Sequence, residues 1–288
     1  FQLNGGKADK YFEGVAKAPV IPSFQAAYVI NDKWSVSAQF AVGGGGGECE
    51  FAEGLPMFEE LVGGQLAGAQ ANSYGLSQNL TGKQFFYGFQ VGATYRLTDN
   101  FSVFGGARGV LASCAYEGAI SNITANGVAA GSYLSGVKAM VDAGLAQLEP
   151  VKDVAGYKEQ YQQLAAQSAA LAQGAALLGS DFNLDCAQSG FGITPIIGLD
   201  WNLGKLNLAA KYEFRTKIEL ENESTNSANV DALMPAYADG GKVRSDIPAL
   251  LTLGAQYQLT DAVRAMAGFH YYWDKDAKGS PIKDEIGR

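Results

Sequence analysis

The sequence predicts an all-β protein, an antiparallel transmembrane β-barrel of which about eight strands are present, with a helical insertion in one loop. Three observations predict it. Long stretches alternate apolar and polar residues with a period of two, four very short turns punctuate them, and the segments between hairpins are far longer than the turns. Composition agrees, because 37 Gly, 14 Tyr and 15 Phe stand against 17% charged residues, a strand-and-turn balance. With a mean hydropathy of -0.03 and no apolar run of about 18 residues, the chain has no candidate membrane-spanning helix. A net charge of -8 argues against a nucleic-acid partner, which wants a basic face.

The hairpins come in order at residues 30–33, 97–100, 202–205 and 259–262. Asn31 and Asp32, Asp99 and Asn100, Asn202 and Gly204, and Asp261 supply the residue types of tight reversals. Between hairpins the predicted loops are long: 43–82, 112–188 and 221–247. Short turns at one end and long loops at the other describe an up-and-down barrel whose loops lie outside the cell.

Alternation assigns the faces. From Lys205 the polar set is Lys205, Asn207, Lys211, Glu213, Arg215, Lys217 and Glu219, and the apolar set is Leu206, Leu208, Ala210, Tyr212, Phe214, Thr216, Ile218 and Leu220. The preceding strand sets Phe191, Ile193, Ile197, Leu199 and Trp201 against Gly192, Thr194, Gly198 and Asp200. Phe85 through Leu97 and Val263 through Trp273 repeat the pattern at odd positions. Tyr28, Trp34, Tyr95, Trp201 and Tyr257 each fall in the apolar set beside a turn, as a belt at a bilayer interface requires. A soluble sandwich also alternates, but its strands are commonly nearer five or six residues.

Within 126–180 the period changes to about 3.6. Tyr133, Val137, Met140, Val141, Leu145 and Leu148 share one face of a first helix; Val154, Tyr157, Tyr161, Leu164, Leu171 and Leu178 share a face of a second, with Pro150 between. These stripes suit a small core or a groove, and the Ala and Gly content of 165–179 favours a groove. A weaker helix is expected over 56–70, with Met57, Phe58, Leu61, Val62 and Leu66 on one face. Cys114 and Cys186 bracket the insert, so either a disulfide across its base or three free thiols with Cys49 fits the spacing. No clustered His or CxxC suggests a metal, and no cofactor is expected.

The hairpins resemble those of the FadL-like transporters of hydrophobic compounds. Residues 189–220, SGFGITPIIGLDWNLGKLNLAAKYEFRTKIEL, are similar to that family's Trp-Gly-Phe-Gly start, Tyr-Glu-Leu turn and Thr-Tyr-Arg-Ser strand. Residues 246–254, DIPALLTLG, followed by Tyr271, Tyr272, Trp273 and Asp274, resemble its next hairpin; 22–36, PSFQAAYVINDKWSV, and 94–103, TYRLTDNFSV, resemble the two earlier ones. The resemblance implies a 14-stranded barrel with an N-terminal plug, a weak groove at the outer loops, an inner pocket and a lateral opening in the wall. Neither the plug nor the family's Asn-Pro-Ala-type motif is present. The whole chain, 1–288, is therefore expected to be one barrel domain cut at both ends, in the outer membrane of a Gram-negative-type bacterium.

By the same resemblance the expected function is uptake of hydrophobic compounds, long-chain fatty acids first, by a non-enzymatic monomer in contact with outer-membrane lipid and lipopolysaccharide. Val137, Met140, Val141, Leu145, Leu164 and Leu171 are the expected groove residues. Arg108, Lys211, Arg215 and Arg264, with Lys217 and His270, are the inward candidates for meeting a carboxylate; interior charges of both signs, including Glu213 and Glu219, more often form salt-bridge networks that fill a barrel. A diffusive porin and a surface adhesion protein are the alternatives. An enzyme is disfavoured by the single histidine, His270, and the lack of a nucleophile motif.

Overall fold

A computed structural model describes residues 11–279 apart from Pro19. Expectations resting on Phe1 and on the end of the polar stretch 274–288 lie outside the described residues. Twelve strands form one sheet: β1 (Val15–Lys17), β2 (Ser23–Val29), β3 (Trp34–Phe51), β4 (Tyr74–Thr98), β5 (Phe101–Ala125), β6 (Val128–Ala129), β7 (Phe182–Leu203), β8 (Leu206–Glu213), β9 (Glu219–Ser224), β10 (Lys242–Arg244), β11 (Leu250–Gln258) and β12 (Arg264–Tyr272). Four helices join them: α1 (Pro56–Gly68), α2 (Ala130–Leu148), α3 (Lys158–Leu178) and α4 (Ala228–Leu233).

Every pairing is antiparallel. β1 and β2 pair with the two ends of β3, β8 and β9 with the two ends of β7, and β11 and β10 continue alongside β8 and β9. The strands thus make eight staves in chain order, with β6 a short addition to β5, and the sheet curls into a half-barrel.

The four turns fall where the sequence places them, and each carries its own hydrogen bonds. Asn31 Oδ1 accepts from the amides of Lys33 and Trp34, both at 2.9 Å. Thr98 Oγ1 accepts from Phe101 N at 3.1 Å, Asn202 Oδ1 from Gly204 N at 2.9 Å, and Thr260 Oγ1 from Val263 N at 3.0 Å. Gly204 has a φ of +76°, the left-handed conformation that glycine adopts without cost.

At the other end the strands run on much further than predicted. Gly43, Gly82, Ala112 and Gln188 are interior to β3, β4, β5 and β7 rather than the start or end of loops, and β4 and β5 reach 25 residues each. Above the outward apolar band Ile120, Ile123 and Phe182 pack against the helical cap, so the apolar residues move to the other face and the period-two signal fades while the ladder continues.

A second departure concerns faces. Between its β8 and β9 contacts, β7 goes from Ile196 to Phe191, five steps, while the partner chain goes from Glu213 to Glu219, six steps. One extra residue exchanges inside for outside. Thr216, Ile218 and Leu220 are therefore buried inside the curl, and Lys217 and Glu219 face out, the reverse of the continuous alternation. Gly190 and Gly192 make room, since a Cβ on Gly190 would stand 2.9 Å from Leu220 Cδ2 and one on Gly192 2.6 Å from Thr216 Cγ2.

Helices α1, α2, α3 and α4 cap the loop end. Val62 and Leu66 of α1, Leu134 of α2, Leu171 and Leu178 of α3 and Val230 of α4 bury against Ile120, Ile123 and Phe182 of the wall. Gln78 of β4 fixes α1 by accepting from Leu55 N at 3.3 Å and donating to Glu59 Oε1 at 3.1 Å.

Candidate functional site

Three features of the half-barrel bear on function: its inner ionic cluster, the apolar patch above it, and a cleft in the helical cap. The cluster is built by register. Gln90 of β4 pairs with Arg108 of β5, and Lys211 and Glu213 of β8 reach the same inner level. Arg108 donates through Nη1 to Glu213 Oε2 at 2.7 Å, and through Nη2 to Glu213 Oε1 at 3.1 Å and Gln90 Oε1 at 2.9 Å. Lys211 Nζ lies 2.7 Å from Glu213 Oε1. Two cations thus share one carboxylate, leaving a net positive ledge on which Lys211 is the accessible member, with a side-chain exposure of 41%.

Arg108 and Lys211 are thus brought together, whereas Arg215 and Arg264 are not. Arg215 lies at the interruption between β8 and β9, where it donates to the carbonyl of Asp276 and approaches Asp246. Arg264 sits at the turn end and donates to Gln258 Oε1 at 3.2 Å. Lys217 faces outward. His270 pairs with Thr252, its Nδ1 3.2 Å from Thr252 Oγ1.

Above the ledge, Phe86, Val110, Ala112, Cys114, Tyr116, Ile218 and Leu220 form an inner apolar patch. A cavity of about 120 Å³ opens there, lined by Phe86, Cys114, Tyr116, Leu220, Tyr237 and Val243, with Gln84, Gln188 and Arg244 as its polar rim. Tyr116 and Tyr237 meet edge to face at 5.6 Å, the favoured arrangement for aromatic pairs. The wall beside it is interrupted in two neighbouring staves at one level, 214–218 and 245–249, which meet through the Thr216–Ile247 bridge and a bond from Ser245 N to the Ile218 carbonyl at 3.0 Å. Asp246 holds this break together, accepting from Ile218 N at 3.2 Å, from Lys278 N at 3.3 Å, and from Arg244 Nε and Nη2 at 3.1 and 2.6 Å.

In the cap, a cleft of about 480 Å³ lies between α1 and α3, floored by Leu134, Ala69 and Leu171 and walled by Gly64, Gly68, Ala170 and Gly174. Of the six expected groove residues only Leu171 lines it. Val137 and Val141 pack into the cap core, Leu164 meets Gly144 across the α2 and α3 interface, Leu145 is half-buried and Met140 is exposed. Sequence reasoning missed α1 as the second wall. The signal for it is the spacing of four between Gly64 and Gly68, and between Ala170 and Gly174, which stacks small residues on one helix face.

Hydrogen bonds lock the hairpin. Asp142 takes hydrogen bonds from Lys138 and from the buried Ser168 of α3, which hold its carboxyl below the ordinary range, and Glu149 is held low by Lys152 and Tyr161. Of the two alternatives for the cysteines, the structure has three free thiols, with Cys114 and Cys186 buried. Register explains it: Tyr116, not Cys114, opposes Cys186, and Cys114 opposes Gln188. Such diagonal positions stand about 7–8 Å apart at Cα, beyond the usual disulfide span.

No family model matches the sequence, and no curated protein matches it. Among solved structures, the chain is similar to the toluene transporter TbuX of Ralstonia pickettii, with a TM-score of 0.47, 14% identity, and coverage of 91% of this chain and 60% of that one. It is likewise similar to the toluene transporter TodX of Pseudomonas putida, with a TM-score of 0.48, 15% identity, and coverage of 92% and 59%. The chain therefore spans about three fifths of the length of these structures.

Proposed function

We propose that the chain forms the greater part of the wall of a FadL-like outer-membrane barrel that takes up hydrophobic compounds, long-chain fatty acids first. The observation that carries this reading is the outward band. On β7 the outward row runs Phe191, Ile193, Pro195, Ile197, Leu199 and Trp201, ten residue steps, or about 33 Å along a strand. Tilted as barrel strands are, that is roughly the 25 Å height of a lipid-facing band. Its lower rim is aromatic, with Trp34 and Tyr95 at 4.7 Å, and so is its upper rim, where Tyr212, Phe214, Tyr271 and Trp273 cluster at 4.8 to 5.4 Å. Glu219, Glu221 and Glu117 face outward directly above it, at headgroup level where lipopolysaccharide would lie against a monomer.

Inside such a wall an acyl chain has three stations. Burial of each methylene contributes about 0.8 kcal/mol, so full enclosure of a long chain would hold it at about 10 kcal/mol and stop release. The open cleft of α1 and α3 suits weak capture. The apolar patch with Lys211 below suits the chain and its carboxylate, and the double interruption beside Asp246 is the place for sideways exit into the bilayer. A second reading is favoured by cavity size: about 120 Å³ is close to the roughly 150 Å³ of a cavity that accepts a benzene ring, which suits a single-ring hydrocarbon better than a long chain.

Equilibrium binding of a fluorescent long-chain fatty acid in detergent tests the proposal. Nothing lies within 4 Å of a Cβ built on Gly64 or Gly68, so Gly64→Leu and Gly68→Leu fill the cleft without disturbing the cap. Both are expected to weaken capture about tenfold, the effect of roughly 1.4 kcal/mol. Competition by toluene alone would favour the single-ring reading; no binding of either, with steady conductance in planar bilayers, would replace uptake by a diffusive pore.

A further inference from the structure

The uptake reading leaves two buried nucleophiles without a role. Cys114 and Cys186 are 4% and 1% exposed, lie on adjacent strands β5 and β7, and point to the same inner face. Their diagonal offset is too long for a sulfur–sulfur bond. It suits a bridging atom: two metal–sulfur bonds of about 2.3 Å each place the sulfurs roughly 4–5 Å apart, with Cβ atoms further still. We propose that Cys114 and Cys186 form a two-coordinate site for a soft monovalent cation, Cu(I) or Ag(I).

Several features of the molecule support that chemistry. Thiolates select soft cations over the harder divalent ions, and two thiols with no third Cys, His, Asp or Glu grouped about them among the described residues leave a linear rather than a tetrahedral donor set. Both residues sit mid-strand in a fully paired ladder, so their spacing is held by the sheet. The 120 Å³ cavity that Cys114 lines gives a path for entry. Binding releases two protons, one from each thiol, as two metal–sulfur bonds form; no electron is transferred. The resulting complex carries one negative charge. Cys49 also faces inward but lies three strand spacings from Cys186, through Gly82 and Tyr116, about 14 Å away. It cannot join the pair and serves as an internal control.

The probe is Ag(I), titrated under argon into the reduced, detergent-solubilised protein after the reductant has been removed, with bound silver counted by native mass spectrometry. One tightly held ion per chain is expected in the wild type and in Cys49→Ser. Cys114→Ser and Cys186→Ser should each lose more than about a hundredfold in affinity, beyond the 10–100-fold that loss of a merely supporting contact costs. Unchanged heat-modifiable migration in gels shows that the variants keep the fold, and the double variant Cys114→Ala with Cys186→Ala repeats the test without a hydroxyl. Silver retained equally by the single variants, silver lost on Cys49→Ser, or a wild type that binds none would overturn the site. So would ready formation of a Cys114–Cys186 disulfide on mild oxidation, since it would show the thiols to be closer than the register allows.

Discussion

Glu213 is the residue on which the inner surface turns. Its side chain is 9% exposed and accepts from both Arg108 and Lys211. A buried carboxylate with two cations is costly to break from one side only, on the order of 3–5 kcal/mol. Arg108→Met and Glu213→Gln are each expected to lower stability substantially, while the double variant recovers part of the loss. A coupling of about 1–3 kcal/mol from denaturant midpoints is the predicted outcome, and strict additivity would show that the contact contributes nothing. Lys211→Met, removing the accessible cation, is predicted instead to weaken carboxylate binding while leaving stability nearly unchanged. The sequence placed Lys211 and Glu213 on one face, because the alternation around them is unbroken, and offered Arg108 as an inward candidate. It did not reveal which cation Glu213 occupies, since that depends on register between β5 and β8, strands that lie 81 residues or more apart in the chain.

Among the elements, the helical hairpin of α2 and α3 is held by two carboxylates whose protonation loosens it. Because hydrogen bonds keep Asp142 and Glu149 below their ordinary values, their contribution is complete above about pH 4–5 and is lost as pH falls through the folded values, below about pH 4. Faster amide exchange across 142–168 below pH 4, with the wall strands unchanged, is the expected result; an unchanged hairpin would show these bonds to be dispensable. The hairpin and the four turns were legible in sequence because their signals are local: a 3.6 period broken at Pro150, and side chains such as Asn31 and Thr260 that bond their own neighbouring amides. The cleft was legible only in part: the Ala and Gly content of 165–179, which includes Ala170 and Gly174, pointed to a groove, but Gly64 and Gly68 contribute by lacking side chains, and two helices far apart in sequence must meet before that space exists. α4, six residues long, is too short to show a period.

For the molecule as a whole, one division organises the wall: which residues face lipid and which face the lumen. Period-two alternation fixes it correctly through β4, β7 and β8. It fails at 214–218, where Lys217 and Glu219 suit a charged lumen and an aqueous exterior equally well, so the extra residue leaves no trace in the pattern. Ala210 and Leu220 therefore carry the decisive contrast. Both are even-numbered and both belong to one uninterrupted apolar set in the sequence, yet Ala210 lies on the outward band and Leu220 is buried inside. The measurement is spin-label accessibility at Ala210→Cys and Leu220→Cys, in a background with the three native cysteines replaced by serine and the protein reconstituted in lipid. Strong broadening by lipid-dissolved oxygen is expected at 210 and little at 220. Equal lipid accessibility at both positions would contradict the exchange of faces, and with it the inner patch and the exit beside Asp246.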